Sequence, residues 1–159
     1  MTGTNAGVLG SIRWNYTFLG GNAALSTNDE WQSLLTVSKS SVPNVAVMVF
    51  ATVTFQISSN SSGTGVLHVR IGGGDNNPRS SSLGYSREFV NIPGSGTYIV
   101  TLHAAMVDFR GLGNVTYSLG VAANGVSDVW VLGAPDLNDP SPSQTYKTAM
   151  WLIELGWLP

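Results

Sequence analysis

The sequence contains no cysteine, which removes disulfides, thiolate metal ligands and a cysteine nucleophile from consideration. Histidine is down to two residues, His68 and His103. A zinc triad of histidines is therefore impossible, and no His-Glu-x-x-His occurs. Charge is scarce: Asp, Glu, Lys and Arg make up 10% of the chain, against about 25% in an average soluble protein. The seven basic residues (Arg13, Lys39, Arg70, Arg79, Arg87, Arg110 and Lys147) are scattered, and the net charge is −2. Phosphate binding needs clustered Lys and Arg, so nucleic acid is not an expected partner. The opening residues lack a basic start followed by an apolar stretch, so no signal peptide is expected. The longest strongly apolar run, Val45–Ala51, falls far short of the ~20 residues a membrane helix needs, and no membrane partner is expected.

What is present is β-sheet patterning with frequent turns. Glycine is abundant, at 19 residues, and Ser, Thr and Asn crowd the gaps between apolar runs. Strand patterns are read at 8–19, 31–38, 44–57, 66–72, 85–92, 97–109, 114–122, 127–133 and 146–156. No segment carries a sustained helical stripe, and no linker or fixed-period repeat appears. These features predict one all-β domain over 1–159, an antiparallel, jelly-roll-like β-sandwich of about 8–10 strands. Within this domain, residues 1–30 are read as an arm that contacts a partner subunit.

Two strand patterns pose a specific problem. In 44–57 the odd positions Val45, Val47, Val49, Ala51, Val53, Phe55 and Ile57 are all apolar, yet Ala46, Met48 and Phe50 on the other side are apolar too. The last strand repeats this, with Met150 and Leu152 on one side and Ala149, Trp151, Ile153 and Leu155 on the other. A sandwich core buries one face of each sheet, and large exposed apolar patches are rare on soluble monomers. Either a loop or a second copy of the chain covers the other face. A homo-oligomer is expected, with Met48, Phe50, Trp151, Ile153 and Leu155 at the subunit interface and Glu154 reaching solvent near the strand end.

The segments "GTYIVTLHAAM", "GNVTYSLGVAANG" and "TAMWLIELG" give the chain a family likeness. It resembles the globular heads of the tumour-necrosis-factor and C1q-like group, with Gly96-Thr97-Tyr98, Tyr117 and Ala149 to Leu155 in the matching places. The resemblance covers roughly 30–156 and implies a ten-stranded jelly roll packed as a trimer about a three-fold axis. Similar domains serve on bacteriophage surfaces as decoration or fibre-tip modules.

The residues that invite a chemistry are few. "IGGGDNNPR" lacks the phosphate-loop spacing and reads as a hairpin loop, but its Asp75, Asn76, Asn77 and Arg79 are candidate ligand contacts. Asp136, Asn138 and Asp139 are hard oxygen donors without an EF-hand pattern, so calcium is a minor alternative to a proline-stiffened loop. Trp14, Trp31 and Trp151 fall within strand patterns and are read as core or interface. Trp130 opposes the apolar side of its strand and Trp157 lies in the tail, so these two are candidate stacking platforms. The acids show no pairing beyond Asp29-Glu30, and no Gly-x-Ser-x-Gly elbow occurs. No catalytic residue, metal site or cofactor is expected, and the chain is read as a non-enzyme. The function expected is structural: a homotrimeric bacteriophage capsid decoration protein, made in the host cytoplasm and placed on the virion surface against other virion proteins. The alternative is a receptor- or carbohydrate-binding head of a phage fibre or lectin-like protein, with a glycan as partner.

Overall fold

The computed structural model describes residues 2–9, 12–39, 45–73, 82–109, 114–134 and 148–157. Among these there are eleven strands and no helix: β1 (Thr2–Leu9), β2 (Ile12–Leu19), β3 (Ala23–Leu25), β4 (Gln32–Ser38), β5 (Val45–Ser59), β6 (Gly63–Gly73), β7 (Ser82–Ile92), β8 (Gly96–Asp108), β9 (Thr116–Asn124), β10 (Val129–Val131) and β11 (Ala149–Trp157). All the strand pairs are antiparallel, and they form a seven-stranded and a four-stranded sheet.

The order β2-β11-β5-β8 in the large sheet faces β4-β9-β6-β7 in the small one. Consecutive strands repeatedly change sheet, from β4 to β5 to β6, from β7 to β8 to β9, and back again to β10. Eight strand columns connected this way make a jelly roll. β1 is an additional edge strand beside β2. β10 and β11 run along the same edge of β5, at Phe55–Ile57 and Val45–Thr52 respectively, so they are two halves of one interrupted column.

Alternation decides what is buried. The odd positions of β5 from Val45 to Ile57 are all 6% exposed or less, and those from Val47 onward meet Leu67, Val69 and Ile71 of β6 and Leu119 and Val121 of β9 in one core. Met150 and Leu152 of β11 and Leu102, Ala104 and Met106 of β8 complete it. Backbone approach is tightest where the strand after β10 crosses the end of β2. The Ala134 N–H donates to the Leu19 carbonyl at 2.6 Å and the Gly21 N–H to the Ala134 carbonyl at 2.8 Å. A Cβ on Gly133 would sit 2.0 Å from the Gly21 carbonyl oxygen and 2.5 Å from that of Leu19, so only glycine fits.

Several sequence expectations are corrected. The 8–19 run is not one strand: it splits between Leu9 and Ile12, and its two parts belong to β1 and β2, which pair with each other. Residues 1–30, expected as an arm that contacts a partner subunit, hold β1, β2 and β3, all of which pair in the large sheet. Trp31 precedes β4 rather than lying in it. Glu154 is 5% exposed rather than solvated. It pairs with Val47, whose other cross-strand partner is Asp108, and side chains in one row share a face, so Glu154 points inward. The loop residues Asp75, Asn76, Asn77, Arg79, Asp136, Asn138 and Asp139 lie outside the described residues, as does the side chain of Trp157.

Candidate assembly face

Three side-chain rows run across the outer face of the large sheet. Cross-strand register sets them as Trp14–Ile153–Met48–Val107, Tyr16–Trp151–Phe50–Ala105 and Phe18–Ala149–Thr52–His103. Four of the five expected interface residues, Met48, Phe50, Trp151 and Ile153, fall in the first two rows, and Leu155 continues the face beyond Ile153. Sequence reasoning missed how β2 extends these rows. The signal was the period-two run Trp14, Tyr16, Phe18, which alternation places on one face.

The aromatic groups are ordered against one another. Phe50 and Trp151 stack at 4.9 Å with an interplanar angle of 11°. Along β2, Trp14 stacks on Tyr16 at 5.8 Å and Tyr16 on Phe18 at 6.3 Å. Phe18 and Ala149 are buried with Ala134, against which Tyr16 and Trp151 also pack. That end of the face is covered by the chain itself. The other end is open: Trp14 is 38% exposed, Val107 44% and Leu155 49%. The two open rows, at about 6.8 Å over four strand columns at about 4.8 Å, span with their side chains roughly 20 Å by 14 Å, an apolar patch of about 280 Å², a size found on ordinary monomer surfaces as well as at interfaces. His103 sits at its polar margin, 3.0 Å from the Thr52 hydroxyl.

The outer face of the small sheet is built differently. There β9 presents Ser118, Gly120 and Ala122, all buried. The segment before β4 is anchored on β9 by the Asp29 N–H donating to the Ala123 carbonyl at 3.0 Å. Trp31 then meets Arg70, whose guanidinium lies 5.3 Å from the indole centroid, and the His68 ring at 5.9 Å. His68 and Arg70 are the cross-strand partners of Ala122 and Gly120, so this cover lies over the smallest residues of the strand. Burial pushes the His68 imidazole below its ordinary value of 6.5; Asp29, 3.8 Å away, acts against this and Arg87 adds to it.

A polar cluster closes the sandwich where β8 and β11 end. Asp108 and Glu154 are both 7% exposed or less, and the Tyr117 hydroxyl donates to Asp108 Oδ2 at 2.9 Å. The spacing of acids in the sequence gave no sign that Asp108 and Glu154 flank Val47. Among the described residues, no group of three or more His, Asp or Glu is arranged to hold a metal. Of the two candidate stacking platforms, Trp130 is 37% exposed on the outer face beyond Gln56, with Val129 and Val131 buried behind it.

A second exposed apolar region lies at the seam between the edges of β7 and β8. Phe89 is 67% exposed and Ile99 57%. Both line a groove of about 490 Å³ with Val100 and Leu102 beside the polar Glu88, Asn91 and Thr101.

No family model matches the chain, and no curated protein matches it. Several solved virus-particle structures are similar to it. The T13 particle of infectious bursal disease virus aligns with a TM-score of 0.48 at 8% identity, over 91% of this chain and 31% of that one. A mutant VP2 protein of the same virus, in derived T=1 particles, gives 0.46 at 8% identity over 91% and 32%. The Gx strain structure gives 0.40 at 8% identity over 91% and 38%. The chain thus spans about a third of the length of these virus-particle chains.

Proposed function

We propose that this chain is a non-enzymatic structural virion protein that associates with itself through the outer face of its large sheet. In this reading it acts as a homotrimer and decorates a bacteriophage capsid, in the manner of the tumour-necrosis-factor and C1q-like heads it resembles in sequence. The observation that carries the proposal is the open aromatic face. Ordered, half-buried Phe50, Trp151 and Tyr16 beside exposed Trp14 and Leu155 form a surface whose complement is another protein surface.

The trimer is supported by the presence of two different apolar surfaces on one chain. A face that packs on its own copy gives a two-fold dimer, whereas a face that packs on a different surface of the next copy gives a ring. The β7–β8 seam, with Phe89 and Ile99, is that second surface. The virion role is supported by fold-level analogy, since jelly rolls recur in viral capsid and lectin domains. The low positive charge favours a place outside a nucleic-acid-lined interior.

Size exclusion with light scattering tests the association. The expected mass is that of three chains, and Phe89→Glu is expected to dissociate them as fully as a change on the aromatic face. A monomer at micromolar concentration overturns the proposal. A dimer indifferent to Phe89→Glu keeps the face and replaces the ring by a two-fold pairing.

A second reading, a receptor- or carbohydrate-binding head, is favoured by one specific observation. Trp130 stands exposed beside a polar cleft at the loop end of the sandwich.

A further inference from the structure

Three polar turns converge where β5 ends, about 20 Å along that strand from the aromatic rows. They are the turn after β5, the turn before β8 and the segment before β10. Between them lies a cleft of about 460 Å³, within the size range of small-molecule sites. Its polar side chains are Ser58, Ser59, Asn60, Thr97, Ser127 and Asp128, beside Ser95 and Gly96, with no basic residue among the lining groups.

The wall is pinned by short-range bonds. The Ser58 N–H donates to the Asp128 carbonyl at 3.0 Å. The Ser59 hydroxyl donates to the Ser61 carbonyl at 2.7 Å and accepts from the Ser61 N–H at 3.3 Å, so it is engaged in its own turn. The Trp130 indole N–H donates to Asp128 Oδ1 at 2.9 Å. That bond ties the exposed indole, which stands outside the lining, to a wall residue of the cleft and leaves the second carboxylate oxygen without a protein partner among the described residues. Asp128 holds this position at a φ of 49°.

The chemistry narrows the ligand. A lone carboxylate and no cation disfavour an anion, phosphate included. One acid among hydroxyls and an amide is too little charge for a divalent cation. Neutral donors and acceptors, one strong acceptor and a fixed apolar ring suit a ligand with several hydroxyls and one apolar face. We propose that this cleft binds a neutral pyranose sugar, with Trp130 against its C–H face and Asp128 accepting from its hydroxyls. This rests on the second reading above, to which it adds a site and a ligand class, and it is independent of assembly.

Calorimetric titration of the full chain with glucose, galactose, mannose and N-acetylglucosamine, each free and as the methyl glycoside, tests it. Glucose 6-phosphate serves as the anionic control, and a glycan array is run alongside. At least one neutral sugar is expected to bind with a Kd on the order of 1 mM, and more tightly than the phosphorylated control. Trp130→Ala should abolish the signal, and Asp128→Asn should weaken it about tenfold. Both positions are exposed, and circular dichroism confirms that each variant folds. Equal binding of the methyl glycoside assigns the site to the end of a glycan chain; loss on methylation assigns it to a free sugar; either supports the site. Binding that ignores both variants overturns the cleft while sparing the head reading, and no binding on either platform overturns both.

Discussion

On the small sheet, the outer face of β9 is made of Ser118, Gly120 and Ala122, and Trp31 with Arg70 and His68 supplies the cover. On the large sheet, the matching rows hold Trp14, Tyr16, Trp151, Phe50 and Met48, and among the described residues only the Phe18–Ala149 end is closed over by Ala134. The first sheet keeps small residues beneath a large lid from its own chain. The second puts the large residues in the sheet itself and leaves them facing outward. Among the described residues the fold thus covers the outer face of the small sheet more fully than that of the large one.

Placing a charge in the core should have the largest effect. Leu152 is 1% exposed on the inner face of β11, so Leu152→Glu buries an unpaired charge costing several kcal/mol against a total stability of about 5–15 kcal/mol. Loss of the circular dichroism melting transition is expected. One residue earlier on the same strand the outcome should reverse. Trp151→Glu should leave the melting transition in place and weaken self-association roughly thirtyfold or more, the scale of an interface hot spot, read by light scattering across a dilution series. An unfolded Trp151→Glu would mean that the aromatic face belongs to the monomer's own core. Trp31→Ala is the mirror experiment on the small sheet. It should lower unfolding stability by about 2 kcal/mol in urea, through lost packing and a lost cation–π contact, while leaving the oligomer mass unchanged.

The smallest effect concerns pH. The His68 imidazole is held below 6.5 in the folded chain, so the unfolded chain binds more protons there and stability falls as pH drops through that value. Above it the contribution is fully present. His68→Gln should flatten the dependence of the urea midpoint on pH between about 7 and 5.

Much of this was legible in alternation. Period two along β5, β8, β9 and β11 marks which residues meet in the core, because a one-residue slip would turn every side chain to the wrong face. The two-sided apolar character of β5 and β11 likewise pointed to Met48, Phe50, Trp151 and Ile153 on a single outer face. What alternation cannot carry is which strands become neighbours. Trp14, Tyr16 and Phe18 join the aromatic rows only because β11 pairs with β2. Asp108 and Glu154 flank one another only through Val47 between them. The sugar cleft is built from three turns far apart in sequence, and turn residues announce a change of direction, not a shared destination.

The place of β11 also bears on the order in which the molecule is made. The last strand of the chain lies between β2 and β5, with Leu152 opposite Asn15 on one side and Val49 on the other. Without residues 149–157, β2 is not joined to β5 and the large sheet has a gap between them. Pairings this distant in sequence form slowly, and a chain stopped short of residue 149 would hold two unpaired strand edges. The aromatic rows are therefore incomplete in a chain ended before residue 149.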